Sequence, residues 1–349
     1  MATLDKYRHL LRKCSDLPAI EFIPTASIGL NLALGGGIPR SRVTQIFGHE
    51  SSNKTTTSLQ VVANAQKQGL KVLWIELENA LDHTWAARLG VQTDELEIVA
   101  PYSAELALDI IIAAIKSREY GLIVVDSLAA LSPKDEQEKG MDEYQRASGA
   151  RMNNKFIRKS IASLQPEYVP AKKDEKTKKT IPAHWDDNKT AIILINQARA
   201  SLDTFGPGTV LPGGSGQNFA ASIRVKLWRE SFLIDEDNPS KINYGTSIKF
   251  LTEKNKLASP RVTGAFKFFY RDYFGVKKGE VYTGDEIITY GLLLGLITLS
   301  GSWYYISGIK GEEVKVQGRE GLAEKIHADK EWCTYLTDEI YKKFKEKYA

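Results

Sequence analysis

Gly48-His49-Glu50-Ser51-Ser52-Asn53-Lys54-Thr55 decides how this chain folds. It follows the phosphate-binding pattern G-x-x-x-x-G-K-[ST], except that Asn53 stands where the second glycine belongs. A loop of this kind wraps nucleotide phosphates in backbone N–H groups at the start of a helix. Its lysine reaches the β- and γ-phosphates, and its Ser or Thr hydroxyl ligates Mg²⁺. The flanks fit. Residues 43–47 read as a buried strand, and residues 55–68 as an amphipathic helix. Gly48, Glu50, Ser51, Ser52, Asn53, Lys54, Thr55 and Thr56 are therefore the expected nucleotide-binding set. Asparagine tolerates the left-handed region best after glycine, so Asn53 can keep the turn. If the glycine served close approach of a phosphate instead, binding is weakened. Taken alone, the eight residues also fit a polar strand–helix turn that binds nothing, so their surroundings must decide.

A chain of 349 residues suggests one large domain or two smaller ones. With 42% apolar and 26% charged residues it reads as globular and water-soluble, not fibrous or disordered. A net charge of +4 is too small to establish a nucleic-acid partner, so local clusters must carry that argument. Cys14 and Cys333 lie far apart without metal-ligand spacing, which points to a reducing, cytoplasmic setting. The five histidines form no ligand pattern, and no apolar core of signal-peptide type opens the chain. The longest apolar run, 291–299, is too short to span a bilayer, so no membrane partner is expected.

Strand patterns fall at 43–47, 71–75, 122–125, 191–195, 222–228, 246–251 and 265–269; helical patterns fall at 55–68, 84–89, 104–117 and 151–164. Early alternation of strand and helix implies a mostly parallel sheet with helices on both faces. The last strands follow one another without helices, so that edge is expected to be antiparallel. Residues 1–23 read as a short basic arm with a helix over 4–12, 24–272 as the core, and 273–349 as a small, helix-rich α+β module. The lysine-rich stretch 166–189 reads as an inserted mobile loop, and the glycine-rich 198–216 as a long flexible loop, either functional or disordered.

Ile123-Val124-Val125-Asp126-Ser127 is an apolar strand ending in an aspartate, where open α/β sheets place ligands and where such a carboxylate holds Mg²⁺ through water. Trp74-Ile75-Glu76-Leu77-Glu78-Asn79-Ala80-Leu81-Asp82 ends another strand. Together with the phosphate loop, Val-Val-Asp-Ser-Leu-Ala-Ala-Leu-Ser-Pro-Lys at 124–134 and Ile195-Asn196-Gln197-Ala198-Arg199, these stretches resemble the RecA recombinase family in order and spacing. Lys254-Asn255-Lys256-Leu257-Ala258-Ser259-Pro260, Ile287-Ile288-Thr289-Tyr290-Gly291 and Gly301-Ser302-Trp303-Tyr304 extend the likeness over nearly the whole chain.

The resemblance implies a RecA-like ATPase core that binds ATP and Mg²⁺, with Thr55 and Asp126 toward the metal. Glu78 matches the carboxylate that orients the attacking water, and Gln197 the residue that senses the γ-phosphate and signals to the adjacent DNA loop. Lys254 and Lys256 match a pair that reaches a neighbouring subunit's ATP, supplying charge as an arginine finger does. Asp82 and Tyr270 match positions that contact adenine. Without that frame, Glu78 is a strand-end surface residue, the two lysines an ordinary solvated turn, and Tyr270 a packing residue.

Residues 138–150 and 198–214 match the two DNA-binding loops. Arg146, Arg151 and Arg199 are expected on phosphates, Phe205 near bases, and Gly213 and Gly214 where the backbone closes on the strand. The implied function is ATP-dependent DNA strand exchange by a homo-oligomeric helical filament on single-stranded DNA, which is paired with homologous duplex. Two alternatives stay open: a filament or mediator that binds ATP without hydrolysing it, which Asn53 favours, and a ring-forming motor on the same fold. The basic stretch Lys342-Lys343-Phe344-Lys345-Glu346-Lys347 stands where bacterial members usually carry an acidic tail, an expectation in favour of a phage-type protein.

Overall fold

The computed structural model describes residues 2–130, 146–173, 180–200, 209–210, 221–309 and 311–348. Its centre is an eight-stranded sheet made of Val43–Gly48 (β1), Val72–Glu76 (β2), Leu96–Val99 (β3), Leu122–Asp126 (β4), Ala191–Gln197 (β5), Ile223–Ile234 (β6), Asn243–Asn255 (β7) and Thr263–Phe269 (β8). The spatial order is β8-β7-β6-β1-β5-β4-β2-β3. From β6 to β3 every neighbouring pair is parallel, and β7 and β8 close the other edge antiparallel.

The central parallel strands are buried on both faces, which is why they read as apolar runs. Alternate residues serve different layers. Ile46, Trp74, Val124 and Ile193 pack with Leu59, Val61 and Val62 of Lys54–Lys67 (α1). Leu73, Ile75, Ile123, Val125, Ile192 and Leu194 pack with Leu108, Ile111 and Ile115 of Ala104–Ser117, and with Phe156 and Ile157 of Arg146–Ser163. The parallel sheet with an antiparallel edge is thus as expected. The β3 strand was missed because it is a short edge strand whose middle residues face solvent.

Two expectations need correction. The arm does not form a helix over 4–12; it makes one turn at Ala2–Asp5 and 3₁₀ turns at Arg8–Leu10 and Cys14–Asp16. Leu4, Tyr7, Leu10 and Leu11 remain exposed, so no packing rescues a helix too short to hold itself in water. The inserted stretch is not simply a loop either. Its ends pair as an antiparallel stem, Glu167–Val169 with His184–Asp186, and Lys172–Lys173 pairs with Thr180–Ile181 further out.

The stem holds the arm. Arg12 donates to Asp187 at 2.8 Å and lies over the Trp185 ring at 5.1 Å, while His9 meets Tyr168, which stacks edge-on against Trp185. Arg118 anchors the stem from the core by pairing with Glu167 and Asp186.

The C-terminal residues form a three-stranded antiparallel sheet, Ile297–Ser300, Trp303–Ser307 and Glu313–Gln317, against the helices Thr283–Leu294, Arg319–Ala328 and Lys330–Tyr348. Their apolar cluster takes in Phe269 and, from the helix Ile28–Leu34, Ile28 and Leu32. The joint has a charged centre. The fully buried Glu286 carboxylate accepts from the Ser27 hydroxyl (2.7 Å) and from the backbone N–H groups of Gly29 (3.0 Å) and Ile28 (3.2 Å). Among the described residues no helix is long and apolar enough to cross a membrane.

Two outcomes follow from these contacts. Burial pushes the Glu286 carboxyl up to about 7, against the pull of its three donors. Its pKa in the folded protein is raised, so folding takes up a proton between the ordinary carboxylate range and about pH 7. Stability is therefore expected to fall as pH rises across that window, by on the order of 3 kcal/mol, and to level off above it. Urea titrations at several pH values check this, and Glu286→Gln should flatten the slope. Separately, Trp185→Ala should release the arm, seen as faster tryptic cleavage at Arg8 and Arg12 with the core still resistant; unchanged cleavage would sink the clasp.

Candidate nucleotide site at the strand ends

The carboxyl ends of β1, β2, β4 and β5 meet at one edge of the sheet, where parallel α/β folds place ligands. The β1 strand ends in Gly48, where a side chain has no room: a Cβ there would sit 2.0 Å from the Leu227 carbonyl oxygen and 2.7 Å from the Ser52 hydroxyl. The loop then turns twice through the left-handed region, at Ser51 (φ 55°) and Asn53 (φ 68°), before α1 starts at Lys54. Glu50 and Ser51 are exposed, Ser52 and Asn53 are buried, and Thr56 is half-buried in the first turn of α1.

Lys54 Nζ lies back on its own loop, donating to the His49 carbonyl at 2.7 Å and to Ser52 Oγ at 3.3 Å. Burial pushes its pKa down, and the charges of Asp126, Glu78 and Glu50 partly restore it. The Thr55 hydroxyl donates to Asp126 Oδ2 at 2.8 Å, which joins the two residues expected on the metal. Burial pushes the Asp126 carboxyl up to about 6, the Thr55 hydrogen bond opposes that, and Glu78 and Glu76 add to it.

Glu78 and Gln197 come from different strands and meet directly, with Gln197 Nε2 2.9 Å from Glu78 Oε1. The Ser127 hydroxyl donates to the same oxygen. Gln197 is the last residue of β5, and the chain beyond it continues into the two-residue ladder Arg199–Ala200 with Thr209–Val210.

Glu76, buried at the end of β2, accepts from the backbone N–H groups of Glu78 (2.9 Å) and Ala80 (3.3 Å) and from the Trp74 indole (3.2 Å). It fixes the segment that carries Glu78. Sequence reading passed over Glu76 and Ser127. The signal was present in both, since Glu76 sits two residues before Glu78 and Ser127 follows Asp126.

Asp82 and Tyr270 stand further out. Asp82 caps His83–Arg88 by accepting from the N–H groups of Thr84 and Trp85, and the Thr84 hydroxyl, with these backbone bonds, holds its carboxyl below the usual range. Tyr270 is half-buried and packs edge-on against Phe268. Trp85 packs edge-on against the same ring, under the Lys278 ammonium. The structure therefore adds Trp85 to this pair, a residue legible only as the one three positions after the cap.

Lys254 and Lys256 are not brought to the loop. Lys254 is level with Arg224, and through it with Gln45 of β1; the Lys256 N–H donates to Ser222, itself level with Val43. They lie two strands away and toward the amino end of β1, Lys254 about 10 Å and Lys256 about 16 Å back along the strand. Arg224, half-buried between them and β1, pairs with Gln45 and Glu253. Of the expected DNA contacts, Arg146 and Arg151 fall on the helix Arg146–Ser163 and Arg199 on the short ladder. Phe205, Gly213 and Gly214 lie outside the described residues.

Comparison with known proteins agrees with this geometry. The family model for the RecA N-terminal domain matches residues 10–171. The protein RecA of Oleidesulfovibrio alaskensis is 36% identical over 330 residues, covering 94% of this chain and 83% of that one. The chain belongs to the RecA family.

The protein RecA of Nitratidesulfovibrio vulgaris is 38% identical over 307 residues, covering 87% of this chain and 76% of its own. That of Paracoccus denitrificans is 34% identical over 323 residues, covering 92% and 81%. Family membership makes this an ATP-binding protein of homologous recombination and strand exchange and a DNA-dependent ATPase; the non-hydrolysing mediator is not favoured.

The Glu78–Gln197 contact yields a prediction. Gln197→Asn keeps the amide but shortens its reach, which breaks the 2.9 Å bond. DNA stimulation of ATP hydrolysis should fall about tenfold or more, equivalent to about 1.4 kcal/mol, while ATP affinity measured without DNA stays within about threefold.

Proposed function

We propose that this RecA family chain binds ATP and Mg²⁺ at the carboxyl edge of its sheet and assembles head-to-tail on single-stranded DNA, pairing the held strand with homologous duplex. The observation that carries the reading is the hydrogen bond from Gln197 to Glu78. It joins the carboxylate suited to water activation to the strand that leads into the 198–214 loop.

The residues present fit the nucleotide and its metal. Thr55 and Asp126 offer adjacent oxygens, and the loop and Lys54 offer donors. Among the described residues no group of three or more His, Cys, Asp or Glu could hold a metal by itself, so Mg²⁺ here needs the phosphates as further ligands. When bound, ATP supplies the phosphoryl group whose transfer to water resets the filament.

In this reading Lys54 binds the β- and γ-phosphates, and Thr55 and Asp126 hold the metal. Glu76 positions the Glu78 segment, and Glu78 orients and polarises the attacking water. Gln197 leaves Glu78 for the γ-phosphate and moves the loop with it. Asp82, Trp85 and Tyr270 hold the adenine end. Lys254 and Lys256 lie apart from their own loop, so they serve the nucleotide of the next subunit. A heterologous contact of that kind generates a helix when it does not close. Arg146, Arg151 and Arg199 bind DNA phosphates, with Phe205, Gly213 and Gly214 completing the grip on the single strand.

The test is ATP hydrolysis with and without single-stranded DNA at low and moderate salt. Strong stimulation that weakens with salt is expected. Lys54→Ala should lower turnover by on the order of 100-fold and abolish ATP-dependent filaments in electron micrographs. Unchanged nucleotide affinity and unchanged filaments in that variant would defeat the assignment.

A further inference from the structure

Asn53 replaces a glycine of the phosphate loop, and backbone conformation explains only half of that choice. Its φ of 68° and ψ of 19° lie in the left-handed region, which asparagine tolerates better than other side chains but glycine adopts at no steric cost. Its side chain makes the choice more puzzling. Asn53 is only 8% exposed and gives α1 no side-chain cap. Its Nδ2 is sealed from solvent without a hydrogen-bond acceptor. A buried, unsatisfied donor is destabilising, and glycine would remove both penalties at once.

In this conformation the loop leaves the amide unsatisfied. The His49 carbonyl already accepts from Lys54 Nζ and from the Ser52 hydroxyl, and the first N–H groups of α1 add donors in the same place. The loop thus carries a buried donor without an acceptor beside a carbonyl that is already shared. What it lacks is an acceptor-rich anion.

We propose that Asn53 is a phosphate-contacting residue of the nucleotide site, its carboxamide donating to an oxygen of the bound di- or triphosphate in addition to the backbone cradle. The proposal rests on reading the loop as the nucleotide site. A neutral amide adds a hydrogen bond there without another positive charge and without drawing on the carboxylates that crowd Lys54. Asn53 thus strengthens the hold on phosphate, where the motif alone suggests a weakened one.

The experiment measures equilibrium binding of a fluorescent ADP to the full-length protein without DNA, with inorganic pyrophosphate as the displacing competitor, and unfolding midpoints without nucleotide. Asn53→Gly is expected to unfold at a higher temperature than the parent, because strain and the orphan donor are both gone. It should nevertheless bind ADP roughly tenfold or more weakly and need proportionally more pyrophosphate for displacement, which places the loss on the phosphates. Asn53→Asp keeps the shape, loses the donor and should bind more weakly still. Binding by Asn53→Gly as tight as the parent's, or tighter, overturns the proposal and leaves Asn53 a turn residue. Lys54→Ala is measured alongside; if it too binds like the parent, the loop is not the nucleotide site and the underlying reading fails with it.

Discussion

Everything at this site depends on how closely β1 runs against β6. At Gly48 the chain passes so near the Leu227 carbonyl that no side chain fits between them. That contact sets where the phosphate loop leaves the sheet, and so where α1 begins and where Lys54 and Thr55 point. It also fixes the antiparallel edge, since β7 and β8 are built outward from β6. Tyr270, Lys254 and Lys256 inherit their places from it. The family's chemistry is thus spaced by strand packing, and the side chains fill positions the sheet has already defined.

The site that results is electrically unbalanced in two directions. Asp126, Glu78 and Glu76 cluster on one side, and burial with mutual repulsion pushes the Asp126 carboxyl up to about 6. On the other side, the loop has more donors than it can satisfy and a lysine folded back on a carbonyl. A cation relieves the first imbalance and an anion the second, and only the two together relieve both. A metal–nucleotide complex matches this arrangement better than either component, and Thr55, bonded to Asp126 from the first turn of α1, lies on the seam between the halves.

Much of this was legible in the sequence, for physical reasons. Strands buried on both faces must be apolar along their length, so β1, β4 and β5 announced themselves, and the helices that cover them carry a 3.6-residue stripe. The gathering of Lys54, Thr55, Glu78, Asp126 and Gln197 at one edge was readable because motif and strand end coincide. The β3 strand was not, because only one of its residues is fully buried. The arm looked helical but has nothing to cover its apolar residues, and the insertion looked structureless because Tyr168 and Trp185 are thinly scattered among lysines. Glu76, Ser127 and Trp85 gain their roles from hydrogen bonds and a shared ring contact that exist only once distant strands are side by side. Nor does the spacing of Lys254 and Lys256 reveal which end of the sheet they occupy; the register of β7 on β6 does.

That placement has a consequence for any polymer built through it. A subunit whose nucleotide edge and lysine pair lie apart makes an array with two unlike ends. If the lysines serve the next subunit's nucleotide, as proposed, one end would hold a nucleotide to which no lysines are delivered, and the other would hold lysines beyond the last nucleotide. Catalytic capacity would then be a property of length. A short oligomer would carry a large fraction of incomplete centres and a long one almost none.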